Sequence, residues 1–169
     1  MIADRIKQVK ENVRAACREA GRDEKEVTLI AVSKTKPVSL LREAYEAGIR
    51  DFGENNVQEL VDKMEQLPGD IRWHMIGHLQ RNKVKYIVGK VWLIHSVDSY
   101  RLAEEINREA QKKHTEANIL IEVNMAQEES KFGVSPKDAP ALVEEISKLP
   151  AVHIKGLMTV APFVENAEE

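Results

Sequence analysis

One cysteine, Cys17, stands in the 169 residues, so neither an intrachain disulfide framework nor a cysteine-built zinc site can be assembled, and a reducing, cytoplasmic setting is expected. Long apolar runs are missing as well. The opening stretch, MIADRIKQVKENVRAACREAGRDEKE, alternates charged and apolar residues and resembles neither a signal peptide nor a membrane anchor. The 25 basic and 28 acidic residues leave a formal charge of −3 and are interspersed, which gives no basic stripe for nucleic acid. No Walker loop, GxGxxG fingerprint, HExxH helix or serine nucleophile motif occurs. Low-complexity segments, linkers and internal repeats are absent too, and the length suits one domain over residues 1–169.

What is present is an alternation. Ile2, Ile6, Val9 and Val13 recur at helical spacing, and Gly21 stands where a helix C-cap is expected. From residue 27 onward, short β-branched runs alternate with amphipathic ones, the mark of βα units on a parallel sheet. Six strands are expected, over residues 27–34, 50–54, 71–77, 91–97, 118–124 and 153–160, with a helix after each of the first five. Ser39, the Asn55–Asn56 pair, Asp98 with Ser99, and Ser135 before Pro136 are the expected helix starts, since their side chains accept orphan backbone N–H groups. In either a closed barrel or an open doubly wound sheet, function gathers at the carboxyl ends of the strands. The longest irregular segment, QEESKFGVSP at 127–136, is a further candidate.

Lys34 closes the first apolar run. An amine drawn from water into an apolar setting loses its proton more readily and becomes able to condense with an aldehyde, although position alone favours a lysine that snorkels to solvent. Lys36 adds a second cation nearby. Gly53, Glu54 and Asn55 end the second run, with Asn55 able to hydrogen-bond a ligand or to cap a helix. His74 is expected to be structural and His78 to face a pocket; the two do not have metal-site spacing. Met158, late in the sixth run, suits packing against a planar ring or the core.

At AVSKTKP, 31–37, the sequence resembles the pyridoxal phosphate homeostasis protein family, also known as YggS or PROSC and related to the barrel domain of alanine racemase. FGENNVQEL (52–60), WHMIGHLQRNK (73–83), HSVDS (95–99), ESKFG (129–133) and GLMTVAP (156–162) continue the likeness in order. The resemblance implies a (β/α)8 barrel of the alanine racemase type, with pyridoxal 5′-phosphate (PLP) held as a Schiff base on Lys34. It also implies Asn55 beside the cofactor, Met158 forming its floor, and Lys36 as a nearby base or amine acceptor.

The family resemblance implies a carrier that buffers PLP and passes it to apoenzymes without turnover. A PLP-dependent racemase or lyase, and a scaffold without a ligand, are the alternatives. A racemase needs a second acid/base group on the opposite face of the substrate, which alanine racemase takes from a further domain. Since such barrels have eight strands, two strands and the phosphate-binding loops around them are expected to lie beyond residue 169, and association or strand exchange to close the sheet.

Overall fold

The amphipathic spacing at the start of the chain becomes α1 (Ile2–Glu19) in the computed structural model, which describes residues 1–129, 131–166 and 168. Gly21 adopts φ +64°, its amide donates to the Arg18 carbonyl at 3.2 Å, and the Arg22 amide reaches the Cys17 carbonyl at 2.8 Å. These bonds satisfy last-turn carbonyls that a helix end leaves open, so the C-cap forms as expected. Cys17 is buried beneath the last turn.

Two compact units make up the chain, Met1–His74 and the residues from Met75 onward. In the first, β1 (Ala31–Val32) runs parallel to β2 (Asp51–Glu54), with Ala31 opposite Phe52 and Val32 opposite Gly53. α2 (Val38–Glu46) connects them, and α3 (Val57–Gln66) leads on to β3 (Arg72–Met75). The Arg72 amide donates to the Arg50 carbonyl at 2.7 Å, setting β3 beside β2. Leu41, Ile49, Phe52, Leu60 and Trp73 form this unit's core, with the Phe52 and Trp73 rings 5.7 Å apart. Burying side chains of this size contributes roughly 1.5–3 kcal/mol each.

The second unit holds β4 (Leu93–Val97), α4 (Tyr100–Lys112), β5 (Ala117–Glu122), α5 (Ala139–Ser147) and β6 (Val152–Met158), and its strands pair in parallel in chain order. α4 turns Leu102, Ala103, Ile106 and Ala110 inward on one face. Asn107 shares that buried face and is satisfied there, its Oδ1 accepting the Ala151 amide at 2.9 Å.

All six expected strands are present, most of them shorter than their apolar runs. Residues 27–30 lie outside β1 because the apolar pattern records burial, whereas a strand also needs a paired backbone. Three other expectations are corrected. Between β3 and β4 the chain makes a 3₁₀ helix, Arg81–Tyr86, in place of an α-helix. α2 begins one residue before Ser39, behind Pro37, whose fixed φ suits a helix entry. Ser135 precedes α5 by a full turn; its hydroxyl accepts the Asp138 amide at 3.1 Å, and Asp138 becomes the cap position.

Candidate functional site

The β1 ladder continues one residue beyond the strand, where the Ser33 amide donates to the Gly53 carbonyl at 3.0 Å. The chain then turns sharply, closed by the Lys36 amide on the Ser33 carbonyl at 3.1 Å. Lys34 occupies this turn at the carboxyl end of β1, its side chain exposed and, among the described residues, without a hydrogen bond or ion pair. Its amine is therefore reached from solvent, as in the snorkelling reading of the position. Thr35, next in sequence, has φ 62°, a left-handed conformation uncommon for a β-branched residue.

That turn is gripped from α3. Lys63 Nζ donates to the Ser33 carbonyl at 2.7 Å, and Glu59 Oε1 accepts the Thr35 amide at 2.6 Å. Lys63 also bonds Glu59 at 2.7 Å and forms an ion pair with Glu54, the last residue of β2. Lys63 is 4% exposed and Glu54 is fully buried. Burial pushes the Glu54 carboxyl up from its ordinary range, opposed by the Lys63 ammonium. Bonds from Lys63 and from the Thr35 amide hold Glu59 below the usual carboxylate range. None of these three was singled out as a site residue in the sequence. The available signal was the Glu59–Lys63 spacing of four, which places both on one helix face.

The Asn55–Asn56 pair divides its work. Asn56 Oδ1 accepts the Glu59 amide at 3.0 Å and caps α3, whereas exposed Asn55 makes no side-chain hydrogen bond among the described residues. Lys34 and Asn55 thus end neighbouring strands of the first unit. Lys36 lines an apolar groove of about 360 Å³ with Ile6, Val32, Leu40 and Phe52. A larger cavity of about 420 Å³ lies at the amino ends of β2 and β3, away from Lys34. Its arginines are paired, Arg14 with Glu24, Arg50 with Asp70 and Arg72 with Asp51.

His74 is buried, with Nε2 3.0 Å from Asp51 Oδ1, in keeping with the structural role expected of it. In the second unit, His78 stacks on Phe132 with ring centroids 4.0 Å apart and planes 9° from parallel. Phe132 belongs to the irregular segment at 127–136, of which Ser130 lies outside the described residues. The loop is pinned where the Gly133 amide donates to Asp98 Oδ2 at 3.0 Å. Asn124 is spent locally, bonding the Glu128 carbonyl at 2.7 Å. Met158 ends β6 opposite Glu122, half-buried, and its carbonyl accepts the Val123 amide at 2.8 Å. Burial, with the Asp98 charge added, raises the Glu122 carboxyl. Among the described residues, no three His, Cys, Asp or Glu side chains converge as a metal site, and no helix is long and apolar enough to cross a membrane.

Residues 5–169 match the family described as alanine racemase, N-terminal domain. A pyridoxal phosphate homeostasis protein of Aquifex aeolicus is 46% identical over 167 residues, which cover 98% of this chain and 73% of that protein. A crystal structure of a protein from Bifidobacterium adolescentis superimposes with a TM-score of 0.91 at 35% identity, covering 98% of this chain and 71% of that one. The structure of PipY from Synechococcus elongatus with PLP bound gives a TM-score of 0.82 at 37% identity, covering 99% of this chain and 74% of PipY. The six strands and their helices form a partial α/β barrel of the racemase type. Fold, ordered motifs and relatives agree, and the chain belongs to the pyridoxal phosphate homeostasis protein family.

Proposed function

We propose that this chain binds PLP for intracellular cofactor homeostasis, with Lys34 as the amine that holds it. The observation that carries the reading is the Lys34 side chain itself, exposed and, among the described residues, unpaired at the carboxyl end of β1 on a turn whose backbone is held from α3. When bound, the cofactor supplies an aldehyde that condenses reversibly with amines. Lys34 would hold it through its amine, since condensation with an aldehyde, which releases water, needs an amine free of a carboxylate partner. The donor set fits. Asn55, at the end of the neighbouring strand and released from capping by Asn56, supplies a side-chain amide to the polar edge of the ligand.

The carrier role, without turnover, is supported by the names of the relatives and by a first unit in which the ionisable side chains that hold the turn, Glu54, Glu59 and Lys63, are committed to one another. PLP-accepting apoenzymes are the partners this role requires, and the cytoplasm its setting. The test is to incubate the protein with PLP, reduce with borohydride, digest and locate the modified peptide by mass spectrometry. The expected adduct is on Lys34, and it disappears in Lys34→Ala. A protein that takes no adduct there refutes the assignment. Sustained loss of the α-proton from an amino acid in deuterated water refutes the carrier role in favour of a racemase-like enzyme.

A further inference from the structure

Lys34 lies between two peptide groups, and α3 holds both. The carbonyl of the preceding peptide, Ser33 O, receives Lys63 Nζ at 2.7 Å; the N–H of the following peptide, Thr35 N, donates to Glu59 Oε1 at 2.6 Å. Neither holder is left to wander. Glu59 is tied to Lys63 at 2.7 Å, and its backbone amide is capped by Asn56 at 3.0 Å. Lys63 is anchored in turn on Glu54, fully buried at the end of β2.

The turn between these anchors is one the chain would not adopt unaided. A threonine at φ 62° sits in a sparsely populated region that persists only where its surroundings over-determine it. The Thr35 hydroxyl donates to the Lys34 carbonyl at 2.6 Å, a local bond that leaves the amide to Glu59. An exposed lysine on a free turn would sample many directions, and ordering it would oppose every covalent capture. An ionised network in a nearly dry site is also an expensive way to gain stability alone, because apolar residues of the same shape usually do as well.

We propose that Glu59 and Lys63, backed by Glu54, are positioning residues that hold the Lys34 turn in its left-handed form and so aim the Lys34 amine for capture of the cofactor aldehyde. The proposal rests on the assignment of Lys34 above. Glu59 is the member to test first, being the least buried of the three and bonded directly to the turn.

Three variants, Glu59→Ala, Glu59→Gln and Glu59→Ala with Thr35→Gly, are compared with the parent chain by two readouts. Hydrogen exchange of the Thr35 amide reports the clamp without any cofactor. The borohydride-trapped PLP adduct on Lys34, with the adduct on Lys36 as internal control, reports its consequence. Glu59→Ala is expected to speed Thr35 exchange and to slow trapping at Lys34 about tenfold, equivalent to about 1.4 kcal/mol, with trapping at Lys36 unchanged. Glu59→Gln retains an oxygen acceptor and keeps most of the trapping. Thr35→Gly, which adopts the left-handed region without penalty, restores part of it.

Equal trapping at Lys34 in the parent and in Glu59→Ala overturns the positioning role while leaving the Lys34 assignment intact. A parent chain that protects the Thr35 amide but takes no label on Lys34 overturns both.

Discussion

Asn56 Oδ1 lies 3.0 Å from the Glu59 amide, and this single capping bond separates the roles of two adjacent asparagines. Asn56→Ala is expected to cost about 1 kcal/mol of stability, the usual cost of losing an N-cap. Asn55→Ala leaves stability nearly unchanged and weakens PLP binding. Urea midpoints and PLP titrations of the two variants check the division, and a reversed pattern would mean that Asn55 is the structural residue.

Lys63→Met leaves the buried Glu54 carboxylate without its cation, and breaking a buried pair from one side costs about 3–5 kcal/mol. Adding Glu54→Leu removes the stranded charge and is expected to recover most of the loss in denaturant titrations. Trapping at Lys34 should stay low in the double variant, because the Ser33 carbonyl has still lost the Lys63 bond that ties it to α3. Recovery of both quantities together would show that the network matters for stability alone.

Acid stability should decline in two stages. Burial lowers the His74 imidazole, partly offset by Asp51, so the unfolded chain protonates first and stability falls as pH drops through the ordinary imidazole range. Burial raises the Asp51 carboxyl, but bonds from Arg72 and His74 outweigh it and hold it below its ordinary range. Its contribution is thus complete above the ordinary carboxylate range and is lost as pH falls toward the lower folded value. Urea midpoints measured from pH 8 to pH 3 in roughly unit steps test this, with His74→Asn expected to abolish the first stage and, by changing one of the bonds on Asp51, to alter the second, whose Arg72 contribution persists.

Gly133 has φ +114°, and a Cβ there would lie 2.8 Å from the backbone nitrogen of Asn124. Gly133→Ala must therefore displace the loop that carries Phe132. Loss of the ring-current shift of the His78 imidazole protons by NMR is the expected signature, since that ring stacks on Phe132 at 4.0 Å. An unchanged His78 spectrum would show that the stack tolerates the displacement.

Much of this was legible in the residues. The spacing of Ile2, Ile6, Val9 and Val13 dictated α1, and Gly21 its end, because helix periodicity and left-handed preference are local properties. Six β-branched runs announced six strands, and the ordered motifs around Lys34 and Asn55 announced the family. The 3₁₀ helix at Arg81–Tyr86 was not legible, since an apolar spacing of three or four suits both helix types and packing chooses between them.

By itself, then, the sequence determined the alternation, the order of the six strands and the motifs that make Lys34 the candidate amine, all properties of neighbours along the chain. Only the tertiary structure decided that the Lys34 amine is exposed, and that Asn56 takes the cap and leaves Asn55 free. It also decided that Glu54, Glu59 and Lys63, up to thirty residues from the atoms they hold, converge on one turn. Ion pairs and backbone clamps between elements depend on which faces meet when β1, β2 and α3 pack, and no spacing within a single element encodes that meeting.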